Sequence, residues 1–312
     1  MKRATESAGV ESQRRGGLWH MAGAAFFFSL MSLLVRMSGT LEGMPSSQVV
    51  LARAAVALVI SWGMLRRRGL NPFGPHKGLL ATRGLLGFGA LTCFYYSLVS
   101  LPLAEATVIQ YMNPVFTGLL AAVALGERFS LADLFATLLS LLGVTLVARP
   151  AFVFGATGHA PLPAVAVGVA VLGSILSAAA YVAVRKARGL APPLVVVFWF
   201  PLVATPLSLP PAIAQWEWPS PLGWLLLLGV GVTTQIAQVF MTEGLHREPA
   251  GRATAVSYLQ VLFAAAWGAL FLGERPDAWT LTGALLVCAG VLFVAVRKAG
   301  PPPPGATVAP TG

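Results

Sequence analysis

The stretch PLAEATVIQYMNPVFTGLLAAVALGERFSLADLFATLLSLLGVTLVA, residues 102–148, returns at residues 249–295 as PAGRATAVSYLQVLFAAAWGALFLGERPDAWTLTGALLVCAGVLFVA. Shifted by 147 positions, the two copies share 17 of 47 residues without a gap. The identities include Pro102/Pro249, Thr107/Thr254, Tyr111/Tyr258, Phe116/Phe263, Glu127/Glu274 and Gly143/Gly290. Duplication within so apolar a chain predicts a membrane protein made of two halves.

Composition points the same way. Of 312 residues, 56% are hydrophobic and only 10% are charged, with a mean hydropathy of +0.76, whereas soluble domains carry roughly 25% charged residues. Two water-soluble domains would have too few charges for their surfaces. A helix needs about 20 residues to cross a hydrocarbon core of about 30 Å. Ten apolar runs meet that requirement, near 18–37, 48–65, 78–100, 103–125, 131–148, 163–184, 191–213, 221–244, 250–272 and 278–297. They show no sustained two-residue alternation, which argues against a membrane barrel. The expected fold is therefore an all-α integral membrane protein, with ten transmembrane helices as two inverted five-helix repeats.

The expected organisation is an N-terminal cytoplasmic tail (1–17), a first repeat (18–148), a linker (149–162), a second repeat (163–297) and a Pro-rich disordered tail (298–312). No small-residue cleavage site follows a short apolar core near the start, so the first helix is expected to be retained. Lys and Arg stay on the cytoplasmic side during insertion. With the N-terminus inside, 17 basic residues are cytoplasmic, Arg83 among them, against Arg36, Arg149 and Arg275 outside and Arg53 within a helix. The net charge of +10 is thus read as topology and not as a nucleic-acid footprint. Because each half has five helices, Gly126-Glu127-Arg128 and Gly273-Glu274-Arg275 face opposite sides. Such halves place a substrate site near the midplane and open it to each side in turn.

The pattern Pro-x-x-x-Ala-Thr, then a Gly-Glu-Arg loop, then Gly-Val in the next helix, present once in each half, resembles the ten-helix EamA-type exporters of the drug/metabolite transporter superfamily. The resemblance covers nearly the whole chain. It implies a bacterial inner-membrane exporter of small organic solutes (amino acids, metabolites or drugs), with both termini cytoplasmic and no cofactor. It also implies a central cavity lined by the first four helices of each half, with the fifth and tenth at the side. A homodimer through the fifth and tenth helices is the protein partner left open. The second half has Gln260-Val261 where the first has Asn113-Pro114, so symmetric gating does not follow.

Polar side chains inside the helices mark the expected site, since each is costly in hydrocarbon until it finds a partner, water or solute. Thr107, Gln110, Asn113 and Thr117 recur at three- and four-residue spacing along one helix face, and their copies begin Thr254, Ser257 and Gln260. Pro114 frees the carbonyl of Gln110 and predicts a kink or gate. Such groups either line a cavity or join helices. We read Asn113, Gln110 and Gln260, with the repeat-supported Tyr111 and Tyr258, as substrate-binding, and Thr107 and Thr254 as helix glue. Tyr95, Tyr96, Tyr181, Trp199 and Trp267 are further aromatic lining candidates. Gln235 and Gln238 form another amide pair open to either reading. Arg53 would hold a substrate carboxylate or phosphate, or bond helix-end carbonyls.

None of the eleven carboxylates falls at a predicted helix centre. Glu243 and Glu105 are the proton-relay candidates, and facilitated diffusion is an alternative. Glu127 and Glu274 are expected to tie loops. The competing class is a membrane-embedded enzyme acting on a lipid or isoprenoid, which needs clustered acids or a metal-bound pyrophosphate. Asp133 and Asp277 stand alone on opposite sides, and no GxSxG, HExxH or P-loop is present. Cys93 and Cys288 suggest neither a disulfide framework nor a metal site. The expected class is a carrier and not an enzyme.

Overall fold

The computed structural model describes residues 2–101, 103–148, 151–154, 163–271 and 277–296, with no strand among them. In chain order the helices are α1 (Lys2–Glu42), α2 (Ser46–Arg67), α3 (Lys77–Ser100), α4 (Leu103–Gln110), α5 (Asn113–Leu125), α6 (Leu131–Ala148) and α7 (Ala151–Phe154). The second half contributes α8 (Ala164–Lys186), α9 (Pro193–Ala214), α10 (Pro221–Arg247), α11 (Ala250–Ala255), α12 (Leu259–Phe271) and α13 (Ala278–Val296). Among the described residues ten segments are long and apolar enough to cross a membrane. The fourth joins α4 to α5 and the ninth joins α11 to α12, while α7 is one turn inside the expected linker. The helix of the first span runs back to Lys2, so residues 2–17 of the expected N-terminal tail are helical. The remainder of the linker and the expected tail at 298–312 lie outside the described residues.

The duplication is visible in how the helices pair. α1 packs along α10 while α3 packs along α8, and these two contacts are repeat mates of each other. The same holds for α1 on α12 against α8 on α5, and for α2 on α10 against α9 on α3. The pairs α2 with α9 and α6 with α13 are their own mates. An approximate two-fold axis relating inverted halves produces this set of pairings.

α6 and α13 meet along small residues, which let backbones approach closely where both surfaces are already apolar. A Cβ added at Gly143 would lie 2.6 Å from the carbonyl oxygen of Gly283, and one at Gly290 would lie 2.7 Å from that of Ala136. Any larger residue at either position would force the helices apart. The opposite faces carry exposed Leu131, Leu142, Leu285 and Val296, as expected for side chains in contact with lipid. The seam is thus occupied within the chain, and a homodimer through these helices would have to use their outer faces.

The fourth and ninth spans are both interrupted, at matching positions. α4 ends at Gln110 and α5 starts at Asn113 with Pro114 in its first turn, where its missing N–H is tolerated. The freed carbonyl of Gln110 accepts a 3.4 Å bond from Ser174 Oγ on α8. In the ninth span the break is a 3-10 turn at Val256–Tyr258, with Ser257 Oγ donating to the Thr254 carbonyl at 2.6 Å. The missing second proline therefore does not leave that span continuous.

An arginine-bearing cavity between the halves

A cavity of about 240 Å³ lies where the interrupted spans approach each other. Every span except α6 and α13 contributes to its wall. Thr107, Gln110, Tyr111, Asn113 and Pro114 line it from the fourth span, and Ser257 and Gln260 from the ninth. Met21, Phe28, Phe94 and Met241 supply apolar surface between these polar groups.

The main correction concerns Arg83. The basic-residue count assigned it to a cytoplasmic loop, but α3 begins at Lys77, which carries Arg83 about 9 Å into the helix at 1.5 Å per residue. It is 3% exposed and faces the cavity beside Arg53. The guanidinium carbon of Arg83 is 4.8 Å from the centroid of Phe200, and that of Arg53 is 5.9 Å from the same ring. A cation over an aromatic face gains from the ring quadrupole, but the ring cancels no charge. Arg83 Nη2 donates to Gln238 Oε1 at 2.9 Å. Among the described residues the buried Nε atoms of both arginines have no hydrogen-bond partner and no carboxylate lines the cavity. Gly87 permits this crowding: a Cβ there would sit 2.9 Å from the Phe200 ring and 3.3 Å from Arg83.

The expected amides divide into two kinds. Asn113 Nδ2 donates to Ser177 Oγ on α8 at 3.2 Å, and its Oδ1 accepts from Thr117 Oγ1 at 2.8 Å. It lines the cavity and joins two spans at once. The side chains of Gln110 and Gln260 face the cavity and make no hydrogen bond among the described residues. Gln238 lines the cavity and holds Arg83, whereas Gln235 is 2% exposed, lies off the wall and has neither amide atom paired within the described residues.

The two tyrosines also separate. Tyr111 faces the cavity, while Tyr258 is fully buried behind it and not on its wall. The rings stack at 5.8 Å with 28° between planes. Substrate contact through Tyr258 is therefore not what this geometry offers, because its hydroxyl is already bonded to protein. Thr107, read as glue, reaches the cavity, and Thr254 bonds back to the Ala250 carbonyl at 2.9 Å. Tyr181 lines the wall, Tyr96 is exposed, and the indoles of Trp199 and Trp267 donate to the Pro72 carbonyl and Ser29 Oγ at 2.9 Å each.

The acids lie elsewhere. Glu243 pairs with Arg247 one turn away at 3.0 Å and stays off the cavity wall. The side chains of Glu105 and Glu274 lie outside the described residues. Glu127 acts as a tie: Oε1 meets Arg185 Nε at 2.6 Å and Oε2 accepts from the Ala250 amide at 2.7 Å. Arg185 also donates to the carbonyls of Leu245 and His246 at 3.0 Å each. One loop of the first half is so fastened to three segments of the second. The described residues hold no group of three or more His, Cys, Asp or Glu able to bind a metal ion.

Sequence reasoning missed Arg83 and Phe200. Arg83 had a signal, since it falls inside the apolar run 78–100. Phe200 had none, because one ring on an apolar helix is indistinguishable from packing.

Inverted halves, paired helix breaks and a cavity of mixed polar and apolar lining between them fit a membrane carrier of small solutes, and the family and relatives that the chain matches are transporters, not enzymes. Over residues 15–149 and 164–296 the sequence matches the EamA-like transporter family, within the drug/metabolite transporter group, and the chain belongs to that family. It is 31% identical to the pseudopaline exporter CntI of Pseudomonas aeruginosa over 89% of this chain and 95% of the exporter. It is 29% identical to solute carrier family 35 member G1 of Mus musculus over 90% and 78% of the two chains. Identity to the riboflavin transporter of Rhizobium johnstonii is 26%, over 92% and 94%. A solved crystal structure shares the fold with a TM-score of 0.79 at 20% identity, covering 90% of this chain and 98% of that one.

Proposed function

We propose that the protein moves small anionic organic solutes out of the cytoplasm by alternating access, across a bacterial inner membrane with both its termini inside. The observation that carries the anionic reading is the pair Arg53 and Arg83, facing one cavity with no carboxylate among the described lining residues. A charged group at membrane depth is costly unless paired, and an anionic solute supplies the missing partner. Gln110 and Gln260 present unbonded amides to the same space, suited to orienting a neutral polar part of the solute. At about 240 Å³ the cavity is smaller than the roughly 300–1,000 Å³ of drug-sized sites, which fits a metabolite. The outward direction is supported by the relative named as an exporter, and the orientation by the bias of basic residues.

The test is flux in proteoliposomes containing the purified chain, with labelled organic anions, neutral sugars and organic cations of similar size. Anions should be carried, and Arg53→Lys should lose much of the flux because a point charge does not reproduce a guanidinium fork. Transport of neutral or cationic solutes with no anion carried would overturn this reading.

A further inference from the structure

We infer that the transported solute carries two negative charges: it is a compact organic dianion, of dicarboxylate or phosphate-monoester type. This deepens the anionic reading above and rests on it. The described lining holds two guanidinium groups and no acid. Both groups line one cavity of about 240 Å³ and approach one ring, Phe200, within 5.9 Å of its centroid, so a solute filling that space faces both. Among the described residues no acid neutralises either: Arg83 has only the uncharged amide of Gln238, and Arg53 makes no hydrogen bond. When the halves close, water is squeezed out and the interaction between charges strengthens. A zwitterion entering that space leaves two uncompensated positive charges and a monoanion leaves one. A dianion leaves none. The arginines come from different helices, α2 and α3, and meet over a ring from α9, so the charge pair is assembled by the fold and not by a local motif.

The experiment uses the full chain, purified and reconstituted, with pairs of probes matched in size and shape that differ by one negative charge. Malonate, succinate, glutarate and phthalate are each compared with their monoamides, and phenyl phosphate with phenyl sulfate, by uptake and by thermal stabilisation in detergent. At least one dianion should be transported with a tenfold or greater preference over its singly charged partner. Arg53→Gln, which removes no hydrogen bond to a described residue, should lower that preference at least tenfold in protein that melts like the parent. Arg83→Gln should do the same where it accumulates, and Arg53→Gln decides the question where it does not. Monoanions carried within twofold of dianions would sink the two-charge inference and leave the anionic reading standing. A preference unmoved by Arg53→Gln, or no response to any dianion, also overturns it. Flux of only the neutral sugars or organic cations, run beside these probes, would overturn both readings.

Discussion

The hydroxyl of Tyr258 donates a 2.9 Å hydrogen bond to the backbone carbonyl of Tyr111, its own counterpart 147 residues earlier. The two copies of one ancestral position are bonded to each other across the interface, and only Tyr111 faces the cavity. Tyr258→Phe should therefore lower stability by about 1–3 kcal/mol, the cost of an unsatisfied buried acceptor. Tyr111→Phe should leave stability near the parent and change flux. Heat denaturation and transport measured on the same preparations would compare the two, and equal melting temperatures would contradict this assignment.

The amides should also part company. Asn113→Ala removes a partner from both Ser177 and the fully buried Thr117, so flux and stability should fall together, the latter by about 1–3 kcal/mol. Gln260→Ala should reduce flux with little change in melting, since its amide bonds no described residue. Matched loss of stability in both variants would show that Gln260 has a structural partner.

Gln238→Glu offers a gain-of-charge test. The acceptor that already meets Arg83 at 2.9 Å would become a carboxylate and form a charge-assisted bond of roughly twice the strength. Stability should hold or rise while transport of organic anions falls at least tenfold. Undiminished anion flux in a well-folded variant would separate Arg83 from solute binding.

Orientation can be read with fused reporters. One placed after Arg128 should report cytoplasmic and one after Arg275 external, given the distribution of Lys and Arg. The same side for both would be incompatible with inverted halves.

Gly290→Leu is expected to prevent accumulation of folded protein, because even a Cβ at this position would press on Ala136 and Ser140. Gly168→Ala, on α8 with open space around it, is the control. Normal yield of Gly290→Leu in a membrane fraction would show that α6 and α13 can separate.

The repeats and spans were legible because they rest on identity at fixed offset and on unbroken apolar length, both properties of the chain alone. Side-chain direction was less so. The 147-residue shift pairs Tyr111 with Tyr258 but says nothing of which hydroxyl points inward, since the two-fold is approximate and one member must yield. Arg83 was read as a loop residue because counting basic residues by proximity to a helix end ignores that α3 begins at Lys77. The turn at Val256–Tyr258 contains neither Gly nor Pro, so nothing local announced it. Arg53, by contrast, stood out as a charge inside an apolar run, and it does face the cavity.

The glycine seam between α6 and α13 has a genetic implication. Neither five-helix unit can complete itself, because the last helix of each finds its close-fitting partner only in the other. A polypeptide of half this length would have to insert in both orientations and pair head to tail through Gly143- and Gly290-like positions. Fusion of two such units in one reading frame fixes their opposite insertion, equalises their amounts and frees each copy to diverge. The single-sided use of Tyr111 and Tyr258, and of Pro114 against Val261, is what that freedom looks like.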